Sequence, residues 1–273
     1  MAIIETKRGL RKVIEFRQVC AGYQGIEVLH DINLTLERGK VTIIIGPNGC
    51  GKSTLLKSLI RLNPHCSGEI LVNGTKIEQY SSIKLAREIA YLPQNRNIPE
   101  ITVLKMVLHG RFPYLSYPRR YKKEDIEKAR EALRWAGIEE LAEKNMSSLS
   151  GGTRQKVYIA MAIAQDTPVI LMDEPTSFLD IDHQLRLMEL AKELARKGKA
   201  VVLVLHDLSL AMRVADVMVV MKEGKILQIG SPKQLYQNKG LETAFDINVT
   251  QVDTMYGVQY FFTAKEEGKK TKS

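Results

Sequence analysis

Hydrophobic residues along this chain change their period several times, and each change marks an element. Ile32, Leu34 and Leu36 alternate with polar neighbours, the period-2 signature of a strand with one buried face. After the Arg38-Gly39 turn, Val41-Thr42-Ile43-Ile44-Ile45 is apolar on both faces, as in a strand inside a parallel sheet. Asn73-Gly74 predicts a hairpin, because both residues tolerate the positive φ of a type I′ turn. Over 122–136, Ile126, Ala129, Leu133 and Ala136 recur at helical spacing, with Gly137 as the stop and Trp135 read as a packing residue. Helices are also predicted over 155–164 and 184–197. Apolar runs 169–172 and 200–205 alternate with these helices, which implies a parallel sheet covered by helices, an α/β fold. Runs 217–221 and 225–229 flank a three-residue hairpin loop, Lys222-Glu223-Gly224, and a further hairpin is expected about Tyr256-Gly257. Residues 1–12 read as a basic N-terminal segment and 265–273 as a disordered basic tail.

At 273 residues the chain has room for one large or two ordinary domains, at roughly 150 residues each. Its 44% hydrophobic content can offset the entropy of ordering, which excludes a disordered chain. No apolar run approaches the ~18 residues that suggest a membrane span, and the first twelve residues contain no apolar segment of a secretory signal. Cys20, Cys50 and Cys66 are too few and too scattered for a disulfide framework or a zinc cluster, and suit a reducing, cytoplasmic setting. The net charge of +9 admits nucleic acid, an acidic membrane surface or an anionic ligand, and does not choose among them.

Gly46-Pro47-Asn48-Gly49-Cys50-Gly51-Lys52-Ser53, followed by Thr54, fits the pattern G-x-x-x-x-G-K-[ST]. Glycines let the backbone bend round a polyphosphate so that successive N–H groups face its oxygens, and the helix expected over 55–61 begins there. Lys52 supplies a compact cation for the β- and γ-phosphates, and the Ser53 hydroxyl suits Mg²⁺. This is a nucleotide site. Cys50 reads as a small residue at a permissive position. The sharper alternative is a thiol whose pKa is lowered by Lys52 and the helix N-terminus, making ATP binding sensitive to oxidation.

The run 168–172 leads into Asp173-Glu174. Adjacent strand residues point in opposite directions, so the two carboxylates should do different work. Asp173 can hold Mg²⁺, and Glu174 can orient or deprotonate the attacking water. Pro175 is expected to keep Glu174 extended. His206 follows run 200–205 at the carboxyl end of a strand, where it can reach the γ-phosphate, and Asp207 can cap the next helix.

Leu149-Ser150-Gly151-Gly152-Thr153-Arg154-Gln155 opens another helix, with Ser150 as its cap and two exposed glycine amides that form a second anion-binding turn. One nucleotide hardly needs two such cradles. The phosphate loop 46–54, LSGGTRQ at 149–155, LMDEPTSFLD at 171–180 and His206 together resemble the nucleotide-binding subunit of an ABC transporter, in order from about Val13 to Tyr236. The resemblance implies a P-loop NTPase fold with an antiparallel β subdomain and a helical subdomain near 95–165, an ATPase domain over 13–245, and a C-terminal extension over 246–273. It also implies roles for residues. Tyr23 stacks on adenine, and Gln94 in Tyr91-Leu92-Pro93-Gln94 senses the γ-phosphate and Mg²⁺. Ser150, Gly151, Gly152 and Gln155 belong to the turn that grips ATP on an opposite protomer, and Asp180 communicates across that interface. Two chains arranged head to tail would enclose two ATP molecules and drive a transmembrane permease. Phe178 departs from the alanine expected in that motif, and Cys50 from serine or alanine.

A separate chain of this kind resembles a bacterial or archaeal importer subunit, peripheral on the cytoplasmic face of the membrane. The stretch Val107-Leu108-His109-Gly110-Arg111-Phe112-Pro113 resembles subunits serving iron–siderophore, haem or cobalamin importers, whose permease dimer receives cargo from an extracytoplasmic substrate-binding protein. Arg111, Arg119, Arg120, Lys122 and Lys123 form an acid-free basic stretch that reads either as a contact for permease or anionic lipid or as a solvated face. ABC ATPases acting on nucleic acid carry tandem cassettes or long coiled-coil insertions. This chain has neither pattern, so no nucleic-acid partner is expected.

Overall fold

The computed structural model describes residues 12–265 apart from 24, 63–64, 95–97 and 256. Residues 1–11 and 266–273, expected as a basic segment and a disordered tail, lie outside the described residues, as does Tyr256 of the expected terminal hairpin. In chain order the elements are β1 (Lys12–Tyr23), β2 (Ile26–Glu37), β3 (Val41–Ile45), α1 (Lys52–Ser58), β4 (His65–Val72), β5 (Thr75–Lys76), α2 (Ser82–Glu88), β6 (Ile89–Leu92), α3 (Val103–Leu108), α4 (Lys123–Trp135) and α5 (Gly151–Ala164). There follow β7 (Val169–Asp173), α6 (Ile181–Arg196), β8 (Ala200–Val204), α7 (Leu208–Val214), β9 (Val217–Lys222), β10 (Lys225–Gly230), α8 (Pro232–Gln237), α9 (Gly240–Phe245), β11 (Ile247–Thr254) and β12 (Gly257–Ala264).

Six strands form the central sheet in the order β10-β9-β3-β8-β7-β6, parallel except for the antiparallel edge strand β10. A second, antiparallel sheet runs β2-β1-β4-β5, and β11 pairs with β12 in a terminal hairpin. Strand periodicity explains the layering. Ile43, Ile45, Ile170, Met172, Val201 and Leu203 face a core shared with Val103, Leu133, Val157 and Leu187 of the helices. The alternate residues Ile44, Val169, Leu171, Val202 and Val204 face a second core, shared with Ile14, Leu34, Ile70 and Leu55 of the antiparallel sheet and α1. Strands buried on both faces are therefore apolar but for Thr42 in β3 and Asp173 at the end of β7.

Register aligns the strand ends. Ile44 pairs with Val204, and Val204 with Asp173, so β3, β7 and β8 finish at one level. The segments following them carry the phosphate loop, Glu174 and His206, all at the carboxyl edge where parallel sheets bind ligands.

Three helices begin earlier than the apolar spacing indicated: α1 at Lys52, α5 at Gly151 and α6 at Ile181. For the last two the start is set by a cap rather than by the first apolar residue. Ser150 accepts from Thr153 N, and Asp180 from His183 N. The loop expected as Lys222-Glu223-Gly224 has two residues. Lys222 pairs with Lys225, and Glu223 and Gly224 take φ of 49° and 75°, a type I′ turn like Asn73-Gly74. Trp135 is not a buried packing residue; it is 39% exposed, with Lys197 Nζ 4.7 Å from its ring centroid.

Candidate functional site

The phosphate loop leaves β3 and is shaped by what its glycines admit. Gly46, Gly49 and Gly51 have φ of 158°, 77° and 100°. A Cβ at Gly46 would lie 2.2 Å from the Met221 carbonyl oxygen, and one at Gly51 2.7 Å from Leu29 Cδ2. Lys52 curls across the loop, its Nζ donating to the carbonyls of Gly46 (2.7 Å) and Pro47 (3.0 Å). The ammonium is thereby fixed where anionic oxygens would meet it.

Beside the loop opens a cavity of about 560 Å³. Asn48, Gly49, Gly51, Lys52, Ser53 and Thr54 form one wall. Gln94, Glu174 and His206 form the other, although they lie far apart in sequence, and Val28 of β2 completes it.

The two adjacent acids do diverge, but not through the expected backbone. Glu174 has φ +50°, in the left-handed region, rather than an extended conformation. Pro175 keeps its predecessor out of the right-handed helical region. Glu174 opens the turn closed by Ser177 N on its carbonyl (3.3 Å), while its own N–H donates to Val204 O (3.2 Å). Asp173 is almost fully buried and accepts from Ser53 Oγ (3.1 Å) and Tyr91 OH (3.4 Å). Burial pushes its carboxyl above the ordinary carboxylate range, the Glu174 charge adds to this, and the Ser53 hydrogen bond opposes it. A desolvated acid among hydroxyl oxygens supplies hard donors, and this set fits Mg²⁺.

Glu174 is held at both oxygens. Gln94 Nε2 donates to Oε2 at 2.5 Å, and His206 Nε2 lies 2.5 Å from Oε1. His206 therefore engages the carboxylate rather than standing free for a phosphate.

Other expected residues fall elsewhere. Tyr23 ends β1, 41% exposed, with Lys57 Nζ 6.0 Å from its ring centroid, and it does not line the cavity. Cys50 is buried beneath the loop, and burial raises its thiol pKa against a smaller opposing effect of Lys52. This overturns the reactive-thiolate alternative. Ser150, Gly151 and Gly152 do not line the cavity, and the two glycines lie beside Phe178. A Cβ on Gly151 would sit 4.0 Å from Phe178 Cβ, and one on Gly152 3.2 Å from Phe178 O. Gln155 is buried, donating its amide to Pro175 O at 2.6 Å. The side chain of Asp180 caps α6 and also meets the His183 ring. Arg111 corrects the basic-face reading. It is buried, paired to Asp125 (3.1 Å) and bonded to Ala164 O (3.0 Å), so it belongs to the core.

The model of the ABC transporter family matches residues 29–177. The chain belongs to the ABC transporter family. The achromobactin transport ATP-binding protein of Dickeya dadantii is 42% identical over 86% of this chain and 88% of its own length. The ferric enterobactin transport ATP-binding protein of Escherichia coli is 41% identical over 86% and 88%. A solved transporter assigned to the metal-chelate type, in an inward-facing conformation, superposes with a TM-score of 0.79 at 28% identity, covering 93% of this chain and 97% of that one. A bacterial ABC exporter with ATP bound reaches 0.75 at 25% identity, over 85% of this chain and 41% of that one. The chain is an ATP-binding subunit of this family, and such subunits hydrolyse ATP to drive transport. In this ABC subunit sequence reasoning missed Tyr91, whose strand β6 pairs beside β7 with Tyr91 opposite Leu171. It also missed Val28, which no motif marks.

Proposed function

We propose that this ABC subunit hydrolyses MgATP in the cavity between Lys52 and Glu174 to energise import of an iron complex. A ferric siderophore is the first candidate, with haem or cobalamin as related cargo. The observation that carries the site reading is the double restraint of Glu174 by Gln94 and His206, opposite the Lys52 loop. The cargo reading is supported by relatives named for achromobactin, for petrobactin (Bacillus anthracis, 38% identical) and for ferric enterobactin.

Lys52 balances negative charge on the β- and γ-phosphates. Ser53, Asp173 and the amide oxygen of Gln94 would hold Mg²⁺, which when bound neutralises charge on the phosphate oxygens. Glu174 orients a water and accepts its proton; two donors on its carboxylate fix the rotamer, so the acceptor lone pair has one direction.

The turn at Ser150, Gly151 and Gly152 lies outside the cavity, and this supports a second copy of the chain as the source of the residues closing over ATP. A homodimer on the cytoplasmic face of a permease dimer, served by an extracytoplasmic substrate-binding protein, follows from that reading. Among the described residues no helix is long and apolar enough to cross a membrane. We assign 13–245 to the ATPase domain, with the helical subdomain near 95–165 and the extension over 246–273. Deleting the gene should abolish ferric-siderophore uptake, restored by the wild-type chain but not by Glu174→Gln. Uptake unaffected by deletion, with accumulation of an exported compound instead, would select the exporter.

A further inference from the structure

The phosphate loop is not supported only by its own strand and helix. The two-residue turn joining β9 to β10, some 170 positions further along the chain, meets it from behind. Gly224 N donates to Cys50 O inside the loop at 3.2 Å, while Gly224 O accepts from His30 N on β2 at 2.9 Å. One peptide unit on each side of Gly224 thus ties the loop to the strand whose Val28 lines the cavity. Two residues upstream of the turn, the Met221 carbonyl lies against Gly46, close enough that a Cβ there would come within 2.2 Å.

We propose that the Glu223-Gly224 turn sets the shape of the phosphate loop, with Gly224 as a positioning residue for nucleotide binding. Its position excludes a side chain twice over. The φ of 75° favours glycine, and a Cβ would lie 2.2 Å from Val28 O and 2.6 Å from His30 Cδ2. Any side chain must push the turn away from β2, and the Cys50 bond moves with it. Gly224 touches no reacting atom in this reading, so its effect is on how well the loop fits the phosphates.

The molecule contains its own control. Gly74 occupies the same position of another type I′ turn, with φ 78°, and a Cβ there meets nothing within 4 Å. Gly74→Ala carries the same backbone strain without the contact.

The proposal rests on the nucleotide reading of the Lys52 loop, and Lys52→Ala tests that separately. Normal ATP affinity in Lys52→Ala would sink the loop reading whatever Gly224 does. In steady-state ATPase assays of the full chain with its permease, Gly224→Ala should raise the KM for ATP about three- to tenfold, the range of a single lost hydrogen bond. The kcat at saturating ATP should stay within about twofold, because Glu174, Gln94 and His206 are untouched. Gly74→Ala should leave KM unchanged. An unchanged KM in Gly224→Ala, or an equal rise in Gly74→Ala, overturns the proposal. If Gly224→Ala does not fold, hydrogen exchange of the wild-type chain decides. MgATP should slow exchange of the Gly224 amide, which the proposal couples to the loop, and not that of Gly74; equal or absent slowing at Gly224 overturns it.

Discussion

Two glycine turns open helices in this molecule, and they are finished in different ways. The loop at 46–54 is closed by its own chain. Lys52 is only 6% exposed and spans two loop carbonyls, and residues from β2 or just beyond β6, β7 and β8 complete the cavity. The turn at 149–155 is left open. Ser150 is exposed, its hydroxyl is spent on capping Thr153, and its glycines lie beside Phe178, 85% exposed at φ +66°. A bulky residue held in that region costs of order 1–3 kcal/mol. The first turn has a cation, an acid and walls of its own; the second has donors and an unsheltered aromatic, which makes sense if another surface completes it.

The largest effect tests the closed loop. Glu174→Gln keeps the size of the side chain and one acceptor oxygen but removes the proton acceptor, and should lower ATP turnover by roughly 10²–10⁴ with ATP binding intact. Phosphate release and equilibrium ATP titration measure the two separately. Unchanged turnover would remove Glu174 from the chemistry.

A paired substitution then asks whether the turns differ as their surroundings do. Lys52→Ala should weaken ATP binding by the isolated chain roughly 10–100-fold, the worth of one charge-assisted contact. Gly151→Asp should leave that affinity within about twofold, yet abolish ATP-driven dimerisation of a Glu174→Gln background followed by light scattering. If both changes weaken binding equally in the monomer, the two turns serve one cavity and the comparison collapses.

Much of this was legible in the sequence because local rules and global fold agree there. Val41–Ile45 announces a doubly buried strand, and the glycines and Lys52 behind it have one stereochemical use. Glu174 lines the cavity as expected, but with a left-handed backbone (φ +50°) rather than the extended one that Pro175 led the sequence to imply. Arg111 was misread because its partner Asp125 lies fourteen residues on, and only the packing of the short turn at 109–114, just past α3, against α4 and α5 brings the pair together. For Cys50 the preferred reading, a small residue at a permissive position, agrees with its burial, whereas the lowered-pKa alternative counted Lys52, near in sequence, and not the burial that outweighs it. Hydrophobic periodicity reports which face is covered, not which remote group covers it.

A smaller effect tests the link between the turns. Gln155, on the helix of the open turn, donates to Pro175 O, one residue past Glu174. Gln155→Leu leaves that buried carbonyl without its donor, at a cost of about 1–3 kcal/mol. The chain should melt lower, by roughly 2–4 °C for each kcal/mol at this length. Turnover per folded molecule should fall as well, since Glu174 loses a neighbour that holds its turn. A lowered Tm with unaltered kcat would mean that the two turns share a core but no mechanical connection.

The smallest effect separates stability from function inside the closed loop. Burial raises the Asp173 pKa in the folded chain, so the native state holds that proton more tightly than the unfolded state. Stability contributed by this group is then greatest at acid pH and falls as pH rises from the unfolded value, about 3.9, through the raised folded one. At neutral pH the ionised carboxylate is a net burden on the metal-free protein. Asp173→Asn removes the charge while keeping groups that can bond to Ser53 and Tyr91, so it should raise the metal-free Tm at neutral pH, with the gain shrinking toward pH 4. Adding Mg²⁺ and ATP should reverse the order, because only the wild type has a charge for the cation to neutralise. Calorimetry with and without MgATP reads both signs, and a variant less stable than wild type without metal would show that Asp173 is held for its hydrogen bonds and not for a cation.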